Sequence, residues 1–119
     1  MNWFLAKIVF RIICGDGNHK AQFDEQLRLI KADSKELAFE KARSLGENEE
    51  DTFMNVHQKL IRWKFINVSD LYRISELIDG AEMYSRIEEK DDGDGYANII
   101  HKKAEHLQLF NTNQVLQLV

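Results

Sequence analysis

The apolar positions at the start of the chain alternate with the period of a β-strand. Residues 3–14 are apolar on one face, and the other face is apolar except for Lys7 and Arg11. A strand that is apolar on both faces is typical of the centre of a sheet. A turn is predicted at GDGN, residues 15–18, and a second, half-solvated strand at residues 22–32. This second strand has an apolar face of Phe23, Leu27 and Leu29 and a polar face of Asp24, Gln26 and Arg28.

A helical period replaces the alternation after the hairpin. Asp33 with Glu36 three residues later resembles a capping box and predicts the start of a helix. Gly46 predicts its end, because glycine is common just after a helix. The apolar positions between them, at helical spacing, are Ala38, Ala42 and Leu45.

Extended structure is predicted again over residues 52–74. Trp63 and Phe65 alternate with Arg62 and Lys64, which indicates aromatic side chains in the core and cations in solvent. The alternation breaks at residues 67–70, which predicts a turn or bulge followed by a short further strand.

The remaining elements follow the turn at IDG, residues 78–80. Residues 81–89 alternate again and predict a strand with one wet face. A second helix is predicted from Asp94 or Gly95, with Ile100, Ala104 and Leu107 on one face. No helical or strand period is visible in residues 111–119, so we expect Val115, Leu116 and Leu118 to pack either across the sheet or on a partner.

The predicted order is therefore β-β-α-β-β-β-α in one α+β domain spanning residues 1–119. Because hairpins dominate, we expect a mainly antiparallel sheet of about five strands with two helices packed on one face.

Composition narrows the classes of function. The net charge of −4 argues against non-specific binding to nucleic acid or anionic lipid, which needs a basic face. The single cysteine, Cys14, excludes an internal disulfide and favours a reducing compartment. No apolar run approaches the roughly 20 residues of a membrane span, and the N-terminus lacks the features of a signal peptide. We therefore expect a cytoplasmic protein.

Metal, cofactor and nucleophile motifs are not found. DDGDG at 91–95 resembles a calcium loop, but no glutamate stands where an EF-hand requires one. The histidines His57, His101 and His106 do not have a zinc-binding spacing. Cys14 and His19 flank the first turn, but no third group is evident that would orient the imidazole. We expect no metal and no cofactor.

Two clusters keep alternative functions open. Glu76, Asp79 and Glu82, with His57, are the candidates for a small hydrolase-like enzyme if they converge in a cleft. The second cluster is cationic and would serve a nucleic-acid-binding module; it comprises Lys59, Arg62, Lys64 and Arg73.

Several runs in combination resemble a bacterial family called domain of unknown function 4288. They are WFLAKIVFR, EQLRLIKAD before the first helix, WKFINVSDLY and GAEMYSRIEE, and they cover about residues 3–89. The resemblance implies a fold but no activity, cofactor or catalytic residue. It points to a shared core that includes Trp63, Phe65, Val68, Leu71, Tyr72, Gly80, Ala81, Glu82 and Tyr84.

These observations favour a non-enzymatic interaction protein that forms a homodimer or binds another protein. An acidic protein that neutralises a basic partner is one form of this hypothesis, since the net charge is negative.

Overall fold

The computed structural model describes the backbone of residues 1–118 and the side chains of residues 1–109. The chain divides into two compact units, Met1–Ser85 and Arg86–Val119, and each is described by itself. The first unit contains β1 Asn2–Cys14, β2 Gln22–Ala32, α1 Lys35–Asn48, β3 Asp51–Met54 and β4 Leu60–Ile74; the second contains α2 Gly93–Leu118.

The sheet is antiparallel and has the strand order β2-β1-β4-β3. The two-sided apolar strand β1 lies between β2 and β4, as its pattern predicted. The structure confirms the α+β class. It has four strands over the described residues, whereas the sequence predicted about five.

The strands differ from the prediction in two places, and the second of them accounts for the lower number. Residues 52–74 contain a hairpin, because the chain turns between β3 and β4 with Gln58 at a φ of 61°. Residues 81–89 form no strand. Within this segment the Tyr84 ring lies edge-on against Tyr72, with centroids 5.5 Å apart.

The predicted break at residues 67–70 is a bulged region and not a turn. Strand β4 continues through it, and its register with β1 shifts between Lys7 and Ile8 and again between Val9 and Phe10. Extra residues on one strand produce such shifts and bend the sheet locally.

Helix α1 packs on one face of the sheet. Its N-cap is Ser34, one residue later than predicted, and the Ser34 Oγ accepts a hydrogen bond from the Leu37 N–H at 3.2 Å. The helix runs past Gly46, which is buried inside it and does not end it. The core under α1 is built from Phe4, Ala6, Ile8, Phe10, Ile30, Ala32, Ala38 and Ala42.

The second unit is dominated by α2. Asp92 caps the helix, because its Oδ1 accepts from the Gly95 N–H at 3.0 Å and its carbonyl accepts from the Tyr96 N–H at 3.1 Å. The side chains of the tail residues Val115, Leu116 and Leu118 lie outside the described residues. None of the helices in the described part of the chain is both long and apolar enough to cross a membrane.

Candidate functional site

The sheet of the first unit has two unlike faces. Helix α1 lies on one, which we call the covered face, and cross-strand pairing assigns the side chains of the other, which we call the open face. The open face comprises Trp3, Leu5, Lys7, Val9, Arg11 and Ile13 of β1, Phe23, Glu25, Leu27, Leu29 and Lys31 of β2, and Arg62, Lys64, Asn67, Asp70, Tyr72 and Ile74 of β4.

The apolar residues of β2 lie on the open face and not under the helix. Phe23, Leu27 and Leu29 are 53%, 52% and 45% exposed, although alternation made the polar side of this strand the obvious one for solvent. Isolated exposed apolar residues are normal, but these three share one face of one strand, where Glu25 separates Phe23 from the adjacent pair Leu27 and Leu29. The open face therefore presents exposed apolar side chains along β2, interrupted by Glu25.

The polar residues of β2 occupy the covered face as a connected hydrogen-bond network. Asp24 Oδ2 accepts from Trp63 Nε1 at 3.1 Å and from Gln26 Nε2 at 2.6 Å. Gln26 Oε1 accepts from Arg28 at 2.7 Å, and Arg28 donates two bonds to Glu49 at 2.7 and 2.5 Å. Satisfied polar groups tolerate partial burial, which explains why this side of β2 can face inward.

The network also perturbs a titratable group at the end of α1. Hydrogen bonds from the Arg28 guanidinium hold the pKa of the Glu49 carboxyl below its ordinary value of 4.5, and partial desolvation acts in the opposite direction. The pair is bidentate, the geometry in which a surface ion pair contributes most. It ties the outer strand of the sheet to the C-terminal end of the helix.

One end of the open face is cationic. Arg11 lies directly opposite Lys64 on the neighbouring strand, and Arg62 follows on the same face opposite Ile13. Arg11 also lies over the Phe23 ring at 5.5 Å. Over the residues that the structure describes, no ion pair involves Arg11, Arg62 or Lys64.

Further along β1, the charge of the open face is balanced. Lys7 lies between Glu25 at 4.0 Å and Asp70 at 3.9 Å. The cationic end is therefore a local feature, and its like charges directly opposite one another destabilise the sheet slightly unless an anion is present.

The opposite end of the open face is partly covered by the segment after β4. Tyr84 packs on Tyr72, and Leu5 and Ile74 are only 5% and 4% exposed. A shallow cavity of about 270 Å³ lies here, and its lining includes Tyr72, Glu82, Met83 and Tyr84.

The carboxylates and the histidine predicted for an enzyme site lie in two different segments of the chain. Of these residues, only Glu82 lines this cavity. Glu76 and Asp79 are exposed in the segment that follows β4. His57 lies in the β3–β4 turn, where its backbone N–H donates to Asn55 Oδ1 at 2.9 Å.

The predicted cationic cluster is divided as well. Arg62 and Lys64 are on the open face, but Arg73 pairs with Phe4 on the other face and donates to Asn2 Oδ1 at 3.1 Å. Lys59 lies in the β3–β4 turn. Arg11 joins Arg62 and Lys64 instead, and the sequence could not show this, because the contact depends on the register between β1 and β4.

The hairpin brings Cys14 and His19 together, but the His19 ring bonds to the backbone of Cys14 and not to its thiol. The Cys14 N–H donates to His19 Nε2 at 2.9 Å, and His19 Nδ1 donates to the Lys20 carbonyl at 2.8 Å. Both ring nitrogens therefore serve to close the turn. Within the described residues there is no group of three or more side chains that could hold a metal ion.

Two aromatic residues of β4, Trp63 and Phe65, lie on the covered face. Trp63 and Phe65 are partly buried against the core cluster, while Arg62 and Lys64 are exposed on the opposite side. Phe65 contacts the Phe10 ring edge-on with centroids 5.9 Å apart. These aromatic rings are not available to stack on a ligand at the open face.

Comparison with known proteins gives one match. The family described as Domain of unknown function (DUF4288) matches residues 3–85, which lie within the first compact unit. No curated protein matches the chain, and no solved structure matches it.

Proposed function

The chain belongs to the family described as Domain of unknown function (DUF4288), which assigns no activity, and from the geometry we propose a non-enzymatic protein-interaction module. Its binding surface is the open face. The occupant we propose is a protein surface that is apolar where it meets β2 and acidic at one end.

The observation that carries this proposal is the exposure of Phe23, Leu27 and Leu29 on one face of the sheet. Burying apolar surface contributes about 25 cal/mol per Å², so each of these half-exposed side chains represents binding energy that the folded chain does not use. Large exposed apolar patches rimmed by polar residues mark protein interaction sites.

The charge of the occupant follows from the cationic end. Arg11, Arg62 and Lys64 form no ion pair over the described residues, although the protein as a whole is acidic. Acidic groups on a partner would offset this local repulsion and would orient the partner on the open face. This reverses the charge expected from composition alone, which suggested a basic partner.

Site-specific photo-crosslinking in cells tests the proposal. p-Benzoyl-phenylalanine replaces Asn67, which is exposed at the centre of the open face opposite Val9. The matched control places it at Ser44, which is exposed on α1. We expect a discrete adduct with one other protein from position 67 and none from position 44.

A charge-reversal pair sharpens the test. Arg62→Glu with Lys64→Glu should lower the yield of the adduct at least about tenfold, a difference of about 1.4 kcal/mol. Lys20→Glu with Lys35→Glu, at exposed positions off the sheet faces, should leave the yield unchanged.

The proposal fails if position 67 gives no more adduct than position 44. It also fails if mass spectrometry shows a link to residues 86–119 of the same chain or to nucleic acid.

A further inference from the structure

The outer edge of β2 is long, and over the described residues no further strand pairs with it. Within the sheet, β2 is hydrogen-bonded to β1 alone, and it pairs with β1 from Gln22 to Ala32 without a bulge. Proteins usually blunt such an edge with a short strand, a bulge or a proline. The strand at the other edge, β3, is short and covers only Asp51–Met54. Strand β2 is long, and the sequence contains no proline.

The direction of the β2 backbone groups can be read from its neighbours. The Cys14 N–H points to His19 on the hairpin side, and the Gly15 N–H donates to the Leu60 carbonyl on the β4 side. Since N–H direction alternates along a strand, even-numbered residues of β1 bond to β2. Their partners on β2 are also even-numbered, for example Ile8 with Gln26.

The odd-numbered residues of β2 therefore point their N–H and C=O groups to the outer edge. The Lys31 carbonyl agrees with this, because it accepts a hydrogen bond from Lys41 Nζ of α1 at 3.0 Å. That bond occupies the edge at Lys31, so pairing with a further strand is limited to the residues before it.

We propose that two copies of this chain pair through their β2 edges, antiparallel about a two-fold axis at Gln26. In this register Phe23 lies opposite Leu29 of the other copy on the open face, and Asp24 lies opposite Arg28 on the covered face. Glu25 and Leu27 are the central pair that exchanges backbone hydrogen bonds. The pairing ends at Leu29, before the occupied Lys31 carbonyl.

The neighbouring registers are less complementary. An axis at Leu27 places Phe23 opposite Lys31, and an axis at Arg28 places that cation opposite itself and needs the Lys31 carbonyl. Opposite charges and apolar pairs across strands each contribute about 0.2–1 kcal/mol, whereas like charges directly opposite are unfavourable. The axis at Gln26 gives two apolar pairs, Phe23 with Leu29, and two pairs of opposite charge, Asp24 with Arg28.

A dimer of this kind joins the two sheets into one and places both open faces on the same side. The inference does not rest on the proposed function, since edge pairing needs no other protein. It explains why an edge strand can carry exposed Phe23 and Leu29 without a proline or a bulge beside them.

Cysteine crosslinking tests the register. In a Cys14→Ser background, Gln26→Cys should form a disulfide-linked dimer on mild oxidation. The two Cα atoms at the axis would be about 4.5 Å apart, within the range of a disulfide. Asp24→Cys and Arg28→Cys are the matched controls, because residue 24 would lie about 13 Å from its own copy in the dimer.

A mixture of the two control variants should form a disulfide-linked dimer. Asp24→Cys combined with Arg28→Cys should crosslink to each other, since these positions are opposite in the proposed register. Crosslinking at position 26 that does not exceed either single control overturns the proposal, and so does crosslinking in a different register.

Leu27→Pro provides a second measurement. The Leu27 N–H points to the outer edge, so proline there leaves the β1–β2 hydrogen bonds intact and blocks the second copy. Light scattering should give about twice the 14.0 kDa chain mass for the wild type and the chain mass for this variant, with an unchanged circular dichroism spectrum. A wild-type protein that stays at 14.0 kDa at high concentration overturns the proposal.

The two proposals can fail separately. Arg62→Glu with Lys64→Glu alters the open face and should leave the disulfide at position 26 unaffected. If the chain without the charge reversal gives no adduct from position 67 but still forms the disulfide at position 26, the docking surface is rejected and the dimer is kept.

Discussion

Gly46 sets the distance between α1 and the sheet, because it allows the Phe65 ring to lie against the helix backbone. A Cβ atom at this position would be 2.3 Å from Phe65 Cε1, closer than any real contact. Glycine inside a helix costs about 0.5–1 kcal/mol relative to alanine. Close packing on Phe65 outweighs that cost.

We therefore expect Gly46→Ala to destabilise the fold, although alanine is the better helix former. Overpacking costs about 1–3 kcal/mol, which exceeds the gain in helix propensity. Urea unfolding measures the difference. Ser44→Ala, at an exposed position of the same helix, should be neutral or slightly stabilising.

Phe65→Leu identifies the cause of the destabilisation. If the clash with Phe65 is responsible, Gly46→Ala should be less harmful in a Phe65→Leu background than in the wild type. Equal effects in both backgrounds would show that the alanine acts through something other than this ring.

At the scale of elements, the Arg28–Glu49 pair connects β2 to the end of α1. Arg28 holds the pKa of Glu49 below 4.5, so the folded state releases this proton more readily than the unfolded state. The stabilising contribution is therefore complete above the unfolded pKa and is lost as the pH falls through the folded one. Both side chains are about one-third exposed, so the contribution stays in the range of a surface pair.

Glu49→Gln should lower the free energy of unfolding by about 0.5–1 kcal/mol at pH 7. The difference from the wild type should shrink as the pH falls below 4.5, since protonation already removes the pair there. Denaturant titrations at several pH values measure both effects. Glu50→Gln, the exposed neighbour, is the control, and a difference between the wild type and Glu49→Gln that does not depend on pH would contradict the assignment.

The elements that the sequence predicts correctly are those in which the period of the apolar side chains matches the period of the backbone structure. β1 is apolar on both faces and is central, and α1 has helical spacing and a cap within one residue of the prediction. The end of α1 was predicted wrongly because Gly46 makes room for the Phe65 ring. In sequence, a glycine with this role cannot be distinguished from a glycine that ends a helix. Residues 81–89 alternate without a backbone partner.

The candidate site depends on register, which sequence alone does not give. The Arg11–Lys64 contact requires that β1 pair with β4 with two shifts between Lys7 and Phe10. The orientation of β2 depends on a hydrogen-bond network that reaches from Trp63 to Glu49. Periodicity separated the two faces of β2 correctly, but it could not show that the network makes the polar face the inner one.

At the scale of the whole molecule, the core lies within the first compact unit. Every residue of the core cluster precedes residue 43, and the strands that complete the sheet end at Ile74. The family match, residues 3–85, ends at the boundary of the same unit. The proposed open face and the proposed dimer edge also belong to this part of the chain.

We therefore expect a fragment of residues 1–85 to fold by itself. A chain of this length buries roughly 60% or more of its unfolded surface, which is sufficient for a small domain. Its urea unfolding should be a single cooperative transition, and Gln26→Cys with Cys14→Ser should still crosslink within it. A fragment without cooperative unfolding would show that residues 86–119 are needed for the fold and would support one domain spanning residues 1–119.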